Sequence, residues 1–89
     1  MKTPVYTNKF KKEYSACIKS KKDIKKIDDI MIKLLNGESL PFKNCDHNLR
    51  GEYKGRRGCH IEPDWVLIYK TDGDYIIFER TGSHANLYE

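Results

Sequence analysis

Two turn-forming stretches, Ile61-Glu62-Pro63-Asp64 and Thr71-Asp72-Gly73-Asp74, divide the last third of this chain and leave it few ways to fold. Asp-Gly between runs rich in Val, Ile, Tyr and Phe is a strong hairpin signal. Residues 57–62, 65–70 and 75–81 are therefore expected as three strands. Strands joined by tight turns run antiparallel, so the end of the first, the start of the second and the end of the third lie side by side. His60, Asp64, Trp65 and Arg80 gather at that end, and His84 follows shortly after. If Asp72-Gly73 sets the register, Leu67 faces Phe78 and Trp65 faces Arg80. The tighter Pro63-Asp64 turn then sets His60 opposite Leu67. Alternation would put His60, Trp65 and Arg80 on one face, an arrangement that a one-residue slip would undo.

Upstream the hydrophobic period is helical. Phe10, Tyr14, Cys17 and Ile18 form one stripe over residues 8–19. Ile24, Ile27, Met31, Leu34 and Leu35 form a second, with Ser20 and Asp23 spaced as a capping box and Gly37 where a helix commonly stops. Residues 4–7 read as an edge strand, 38–48 as a polar connector, and Tyr53-Lys54 as the start of a further strand. The order strand, helix, helix, meander predicts an α+β fold, an N-terminal helical hairpin packed on a small antiparallel β-sheet. The length, 89 residues, suits one domain over 1–89.

Charge adds a partner class. The net charge is +4, and nine lysines crowd the first 26 residues. A second cluster, Arg50, Lys54, Arg56 and Arg57, lies close to the histidines in sequence. Basic clusters suit a polyanion, most often nucleic acid. The N-terminal lysines admit a second reading, as solvated helix faces that keep a small protein soluble. No apolar run follows the basic N-terminus, so neither a secretion signal nor a membrane span is expected. Three cysteines, Cys17, Cys45 and Cys59, argue for free thiols in a reducing cytoplasm. Cys45, His47, Cys59 and His60 are all metal-ligand types, but their spacing is poor for a structural zinc site. Neither a metal nor a cofactor is expected.

The residues Asp46-His47-x-Leu49-x-Gly51-x-Tyr53-Lys54-Gly55-x-Arg57-x-x-His60-x-x-Pro63-Asp64-Trp65, then Phe78-x-Arg80-Thr81-Gly82-x-His84-x-x-Leu87-Tyr88, carry a resemblance. They are similar to the YafQ branch of the RelE/ParE toxin superfamily. The resemblance implies a RelE/ParE-like fold and a ribosome-dependent mRNA endoribonuclease held in check by a cognate antitoxin. It implies active-site roles for His47, His60, Asp64, Arg80 and His84, and a functional C-terminal aromatic, here Tyr88 where the family usually has Phe. It also implies an antitoxin whose C-terminal segment wraps the toxin and whose ribbon-helix-helix dimer binds operator DNA.

RNA cleavage by side chains alone needs a base for the ribose 2′-hydroxyl, an acid for the leaving oxygen and a cation for the phosphorane. His84 is assigned as the acid and His47 as the base, with exchange among His47, His60 and His84 left open. His60 and Asp64 position or tune the proton carriers. Arg80 is the phosphate clamp, since a guanidinium matches two phosphate oxygens. Trp65 and Tyr88 are candidate base contacts, and Arg50, Lys54, Arg56 and Arg57 candidate contacts to mRNA or ribosomal RNA phosphates. Against these stand plainer readings: surface histidines, Asp64 as a turn former, Trp65 as core, and Arg80 paired with Glu79 or Glu62. Two other functions stay open, a toxin of the same fold directed at DNA gyrase and a non-catalytic antitoxin-binding module.

Overall fold

The computed structural model describes residues 1–88. Strand β1 (Thr3–Tyr6) leads into helix α1 (Asn8–Lys19), and a short link leads into α2 (Ile24–Leu35). A single 3-10 turn at Phe42–Asn44 precedes β2 (His47–Asn48), and another at Gly51–Tyr53 follows it. The chain then runs through β3 (Arg57–Glu62), β4 (Trp65–Asp72) and β5 (Tyr75–Gly82) into the short helix α3 (His84–Tyr88). The five strands form one sheet in the order β1-β5-β4-β3-β2. The meander is antiparallel as expected, and β1 adds a parallel edge beside β5. Tyr53 belongs to a 3-10 turn rather than a strand, and the fourth antiparallel strand is β2 within the polar connector.

α1 begins where Thr7 caps it, its Oγ1 accepting from the Phe10 amide at 3.0 Å. That hydroxyl also donates to the Glu79 carbonyl at 2.8 Å, so the helix start is tied to β5. The Ser20–Asp23 capping box does not form. Ser20 closes α1, its hydroxyl donating to the Cys17 carbonyl, and Asp23 makes no side-chain cap bond to α2. The α1 stripe is also narrower than expected: Phe10 and Cys17 are buried, whereas Ile18 points outward at 53% exposure. On α2, Ile30 joins Ile27, Met31, Leu34 and Leu35 in the core.

Both helices cover one face of the sheet, against Cys59, Ile61, Trp65, Leu67, Tyr69, Ile76 and Phe78. The opposite face carries a second, smaller core. Val66 and Ile68 pack there beneath Leu87 of α3, with Leu49, Tyr53 and Tyr88 around them. The residues of β4 from Trp65 to Tyr69 are therefore all buried, as expected of a central strand covered on both sides.

The register differs from the one read off the turns. Cys59, not His60, sits opposite Leu67, and Tyr69, not Leu67, sits opposite Phe78. Bulges interrupt both pairings, one between His60 and Glu62 and one opposite Ile68 and Tyr69. Each inserts a residue and so reverses the alternation beyond it. Thus His60 pairs with Val66 and Arg80 with Ile68 on the α3 side, while Trp65 falls on the helix side. Trp65 is fully buried, its indole N–H donating to Thr81 Oγ1 at 3.0 Å. It is core, and its expected place as a base contact is corrected on that ground.

These layers set the cost of three substitutions. Thr81 Oγ1 accepts from Trp65 and donates to the Val66 carbonyl at 2.8 Å. Thr81→Val removes both bonds inside the core and is expected to lower unfolding free energy by about 1–3 kcal/mol in urea titration. On the second face, a Cβ at Gly58 would lie 2.7 Å from Tyr88 Oη and 3.0 Å from Leu49 Cδ2. Gly58→Ala is expected to destabilise by about 1–3 kcal/mol. The Tyr88 hydroxyl is buried without a hydrogen-bond partner among the described residues, so Tyr88→Phe alone should stabilise, by about 1 kcal/mol. It should also relieve part of the Gly58→Ala loss, which a four-variant denaturation cycle would measure.

Candidate active site

The α3 side of the sheet gathers most of the expected residues at one end. β3 presents His60, the turn after it presents Asp64, and α3 presents His84 and Tyr88. A helix of five residues does not hold itself together. Its anchors are tertiary. Leu87 is buried, Tyr53 Oη donates to the Leu87 carbonyl at 2.9 Å, and Asp64 Oδ1 accepts from the His84 amide at 3.2 Å. Asp64 is thus more than a turn former. It fastens the Pro63-Asp64 turn to the first residue of α3.

These anchors set the His60 and His84 rings in a stack, centroids 6.1 Å apart and planes 20° from parallel. Tyr88 meets His84 edge-on at 4.6 Å. Tyr88 in turn meets Tyr53 edge-on at 5.9 Å. His84 is exposed and His60 half-buried, so the pair is open to a ligand on one side and walled by Tyr88 on the other.

His47 stands on the adjacent edge strand. β2 pairs it with Gly58, two residues before His60 on β3. Its Nδ1 lies 2.6 Å from the Cys45 carbonyl oxygen. A carbonyl can only accept, so Nδ1 carries the proton and the neutral ring keeps its lone pair on Nε2. His60 shows the same pattern, with Nδ1 3.2 Å from the Pro63 carbonyl oxygen. His47 also lines a cleft of about 500 Å³ with Arg57 and Phe42, and the Phe42 ring is 98% exposed at its rim.

The strand beneath His47 is pinned by Asp46. Its Oδ1 accepts from Tyr69 Oη at 2.7 Å and from Arg57 Nε at 3.2 Å. Burial and the Asp46 acceptor push the Tyr69 phenol well above its usual range, so it stays a donor. Asn44 does the same for the neighbouring loop, donating to the His60 carbonyl at 2.7 Å. Sequence reasoning left both residues without a role. A buried asparagine and an aspartate next to a histidine were the signals available.

Arg80 shares the sheet face of His60. Its guanidinium turns toward α1, where Nε and Nη2 bind the two Glu13 oxygens at 2.9 and 2.7 Å. Nη1 reaches Tyr53 Oη at 3.3 Å. The partner is Glu13, not Glu79 or Glu62, which pair with Arg56 and Lys26. The Glu13 hydrogen bond raises the Arg80 pKa further above its usual value, so the cation is permanent. Glu13 also accepts from the Thr81 amide at 3.2 Å, filling an edge of β5 that β1 has left.

The basic cluster divides in two. Arg56 and Arg57 are ion-paired, with Glu79 and Asp46, whereas Arg50 and Lys54 are exposed. Among the described residues no group of three or more His, Cys, Asp or Glu could hold a metal ion. The stacked His60 and His84 rings lie face to face, whereas shared metal binding needs ring nitrogens pointing at a common centre. All three cysteines are free thiols, Cys17 and Cys59 buried and Cys45 exposed. Burial pushes the Cys59 thiol up to about 12. No helix among the described residues is long and apolar enough to cross a membrane.

Comparison with known proteins agrees with this architecture. The chain is 42% identical over 84 residues to the mRNA interferase toxin YafQ of Escherichia coli K12, covering 93% of this chain and 91% of the relative. It superposes on the toxin in a crystal structure of the E. coli DinJ–YafQ complex with a TM-score of 0.92 at 39% identity, covering both chains fully. It superposes equally well, TM-score 0.92 at 31% identity, on a metal-bound toxin from Helicobacter pylori, covering 99% of this chain and 100% of that one. Residues 2–89 match the family model described as the bacterial toxin of type II toxin–antitoxin systems, YafQ. With the helix-backed sheet and the histidine-bearing α3 in place, the chain belongs to the YafQ family of type II toxin–antitoxin toxins.

Proposed function

We propose that this chain, acting as one domain, is a toxin that cuts mRNA on the ribosome by side-chain chemistry alone. The observation that carries the reading is the His60–His84 pair, open to solvent and held by Asp64 and Tyr88 at the end of a rigid sheet. A fold has no need to stack two imidazoles there, and imidazoles exchange protons near neutral pH. The name of the E. coli relative, an mRNA interferase, supports the same reaction class.

In this mechanism the ribose 2′-hydroxyl attacks the adjacent phosphorus and expels the 5′-oxygen. His84 donates the proton to the leaving oxygen. His47 accepts the 2′ proton at Nε2, the nitrogen left free by its Nδ1 contact to Cys45. His60 stacks against His84 and orients it, and Asp64 fixes the His84 backbone. Arg80 neutralises the phosphorane with the donors that Glu13 and Tyr53 leave free. Tyr88 walls His84 and offers its ring edge to a base. Arg50 and Lys54, exposed and without ion-pair partners among the described residues, bind RNA phosphates, while Arg56 and Arg57 contribute field rather than direct contact.

The partners follow from the same reading. A cognate antitoxin holds the toxin, as likeness to the DinJ–YafQ complex supports, and its ribbon-helix-helix dimer links the pair to operator DNA. Exposed lysines on α1 and α2 suit ribosomal RNA, in the cytoplasm. The deciding experiment is mRNA cleavage on programmed ribosomes, mapped by primer extension, for wild type and His84→Ala. Wild type should cut at defined codons, and the variant, folded by circular dichroism, should be slower by roughly 10²–10⁴-fold. Cleavage at the wild-type rate by His84→Ala would remove His84 from the acid role. Intact mRNA together with double-strand DNA breaks would move the target to gyrase.

A further inference from the structure

Tyr53 touches both the cation and the histidine-bearing helix. Its hydroxyl donates its single proton to the Leu87 carbonyl of α3 at 2.9 Å. That commitment leaves the oxygen lone pairs to accept from Arg80 Nη1 at 3.3 Å. The direction of both bonds is therefore fixed. Its ring also meets Tyr88 edge-on, and Tyr88 meets His84.

Glu13 completes the arrangement from the other side. It takes the Nε–Nη2 edge of the guanidinium with both oxygens, the stronger, charge-assisted geometry. A guanidinium has five N–H donors. Glu13 engages two and Tyr53 one, which leaves one N–H on each terminal nitrogen. Those two donors, one on each terminal nitrogen, are the fork left available to phosphate oxygens. A carboxylate that fills one edge of a guanidinium fixes the plane and direction of the other.

Resting on the function proposed above, we propose that Tyr53 is a positioning residue that couples the Arg80 fork to α3, with Glu13 locking the far edge of the guanidinium. The pair sets the spacing between the group that neutralises the phosphate and the histidine that protonates the leaving oxygen. Neither residue touches the reacting atoms. Small displacements of such groups have large effects on rate, and ground-state binding through the basic surface is unaffected.

The test uses Tyr53→Phe, which keeps the ring and removes only the hydroxyl. On programmed ribosomes kcat should fall about tenfold with KM within roughly twofold of wild type. In an Arg80→Lys background the same substitution should change kcat by less than about twofold, because the coupling is already broken. Glu13→Gln should behave alike, slower alone and near-silent beside Arg80→Lys. Full additivity of either substitution with Arg80→Lys would overturn the proposal, as would wild-type kcat for Tyr53→Phe. In the protein alone, Tyr53→Phe should shift the side-chain NMR signals of His84 and leave those of His47 in place. Unchanged His84 signals would overturn the coupling whether or not the protein cuts RNA. A wild-type protein that does not cut would instead overturn the function on which the kinetic arm rests.

Discussion

Everything in this structure depends on covering β4 from both sides. Its residues Trp65 to Tyr69 are buried without a break, so the sheet cannot leave either face to water. The helical hairpin covers one side with Phe10, Cys17 and the α2 stripe. The other side is covered by little: Leu87, Leu49, Tyr53 and Tyr88 over Val66 and Ile68. The elements recruited for that second cover are the ones that bear the candidate chemistry. Leu87 seals the core, and His84, three residues earlier on the same short helix, faces the site. Packing and function are not separate layers here. Burial of Leu87, about 1.5–3 kcal/mol for a fully buried leucine, also orients an imidazole.

The electrostatics follow the same economy. Near the site the carboxylates are set to work on cations and backbone rather than left as free charge. Glu13 serves Arg80 and the Thr81 amide, Asp46 serves Tyr69 and Arg57, and Glu79 serves Arg56. The cations left there without an ion-pair partner among the described residues, Arg50 and Lys54, lie outside this framework on the surface. A polyanion approaching this face therefore meets exposed positive charge first and ion-paired positive charge beneath it.

Much of this was legible in the sequence, and the failures have identifiable causes. The bounds of α1, the three meander strands and the α+β order are local properties, set by periodicity and by Asp72-Gly73. That Asp64, His60 and His84 would meet was legible too, since one turn and one strand end bring them together. His60 and Arg80 were wrongly put on the face of Trp65 because two bulges, one between His60 and Glu62 and one opposite Ile68 and Tyr69, each add a residue that alternation cannot reveal. The partner of Arg80 was missed for a different reason. Glu13 lies 67 residues away on a helix, and nothing in either local sequence announces the pairing. The parallel edge strand brought α1 to that end of β5, and only the assembled sheet shows it. Tyr53 was misread as strand because an aromatic residue beside a glycine fits a strand start as well as the 3-10 turn it forms.

The smallness of α3 has a consequence for how the site exists in time. Opening such a helix breaks a handful of anchors, the Leu87 contacts, the Tyr53 bond and the Asp64 bond, and leaves the sheet and its helix-backed core intact. Segments of this kind open far more often than the domain unfolds. The fraction of molecules with His60 and His84 assembled is therefore governed by a local equilibrium, not by global stability. Hydrogen exchange at the Leu87 amide, which donates to the Ser83 carbonyl at 3.2 Å, reports that equilibrium directly. A protein that grips α3 raises the assembled population, and one that lifts it parts His84 from His60 while the rest of the fold stays native.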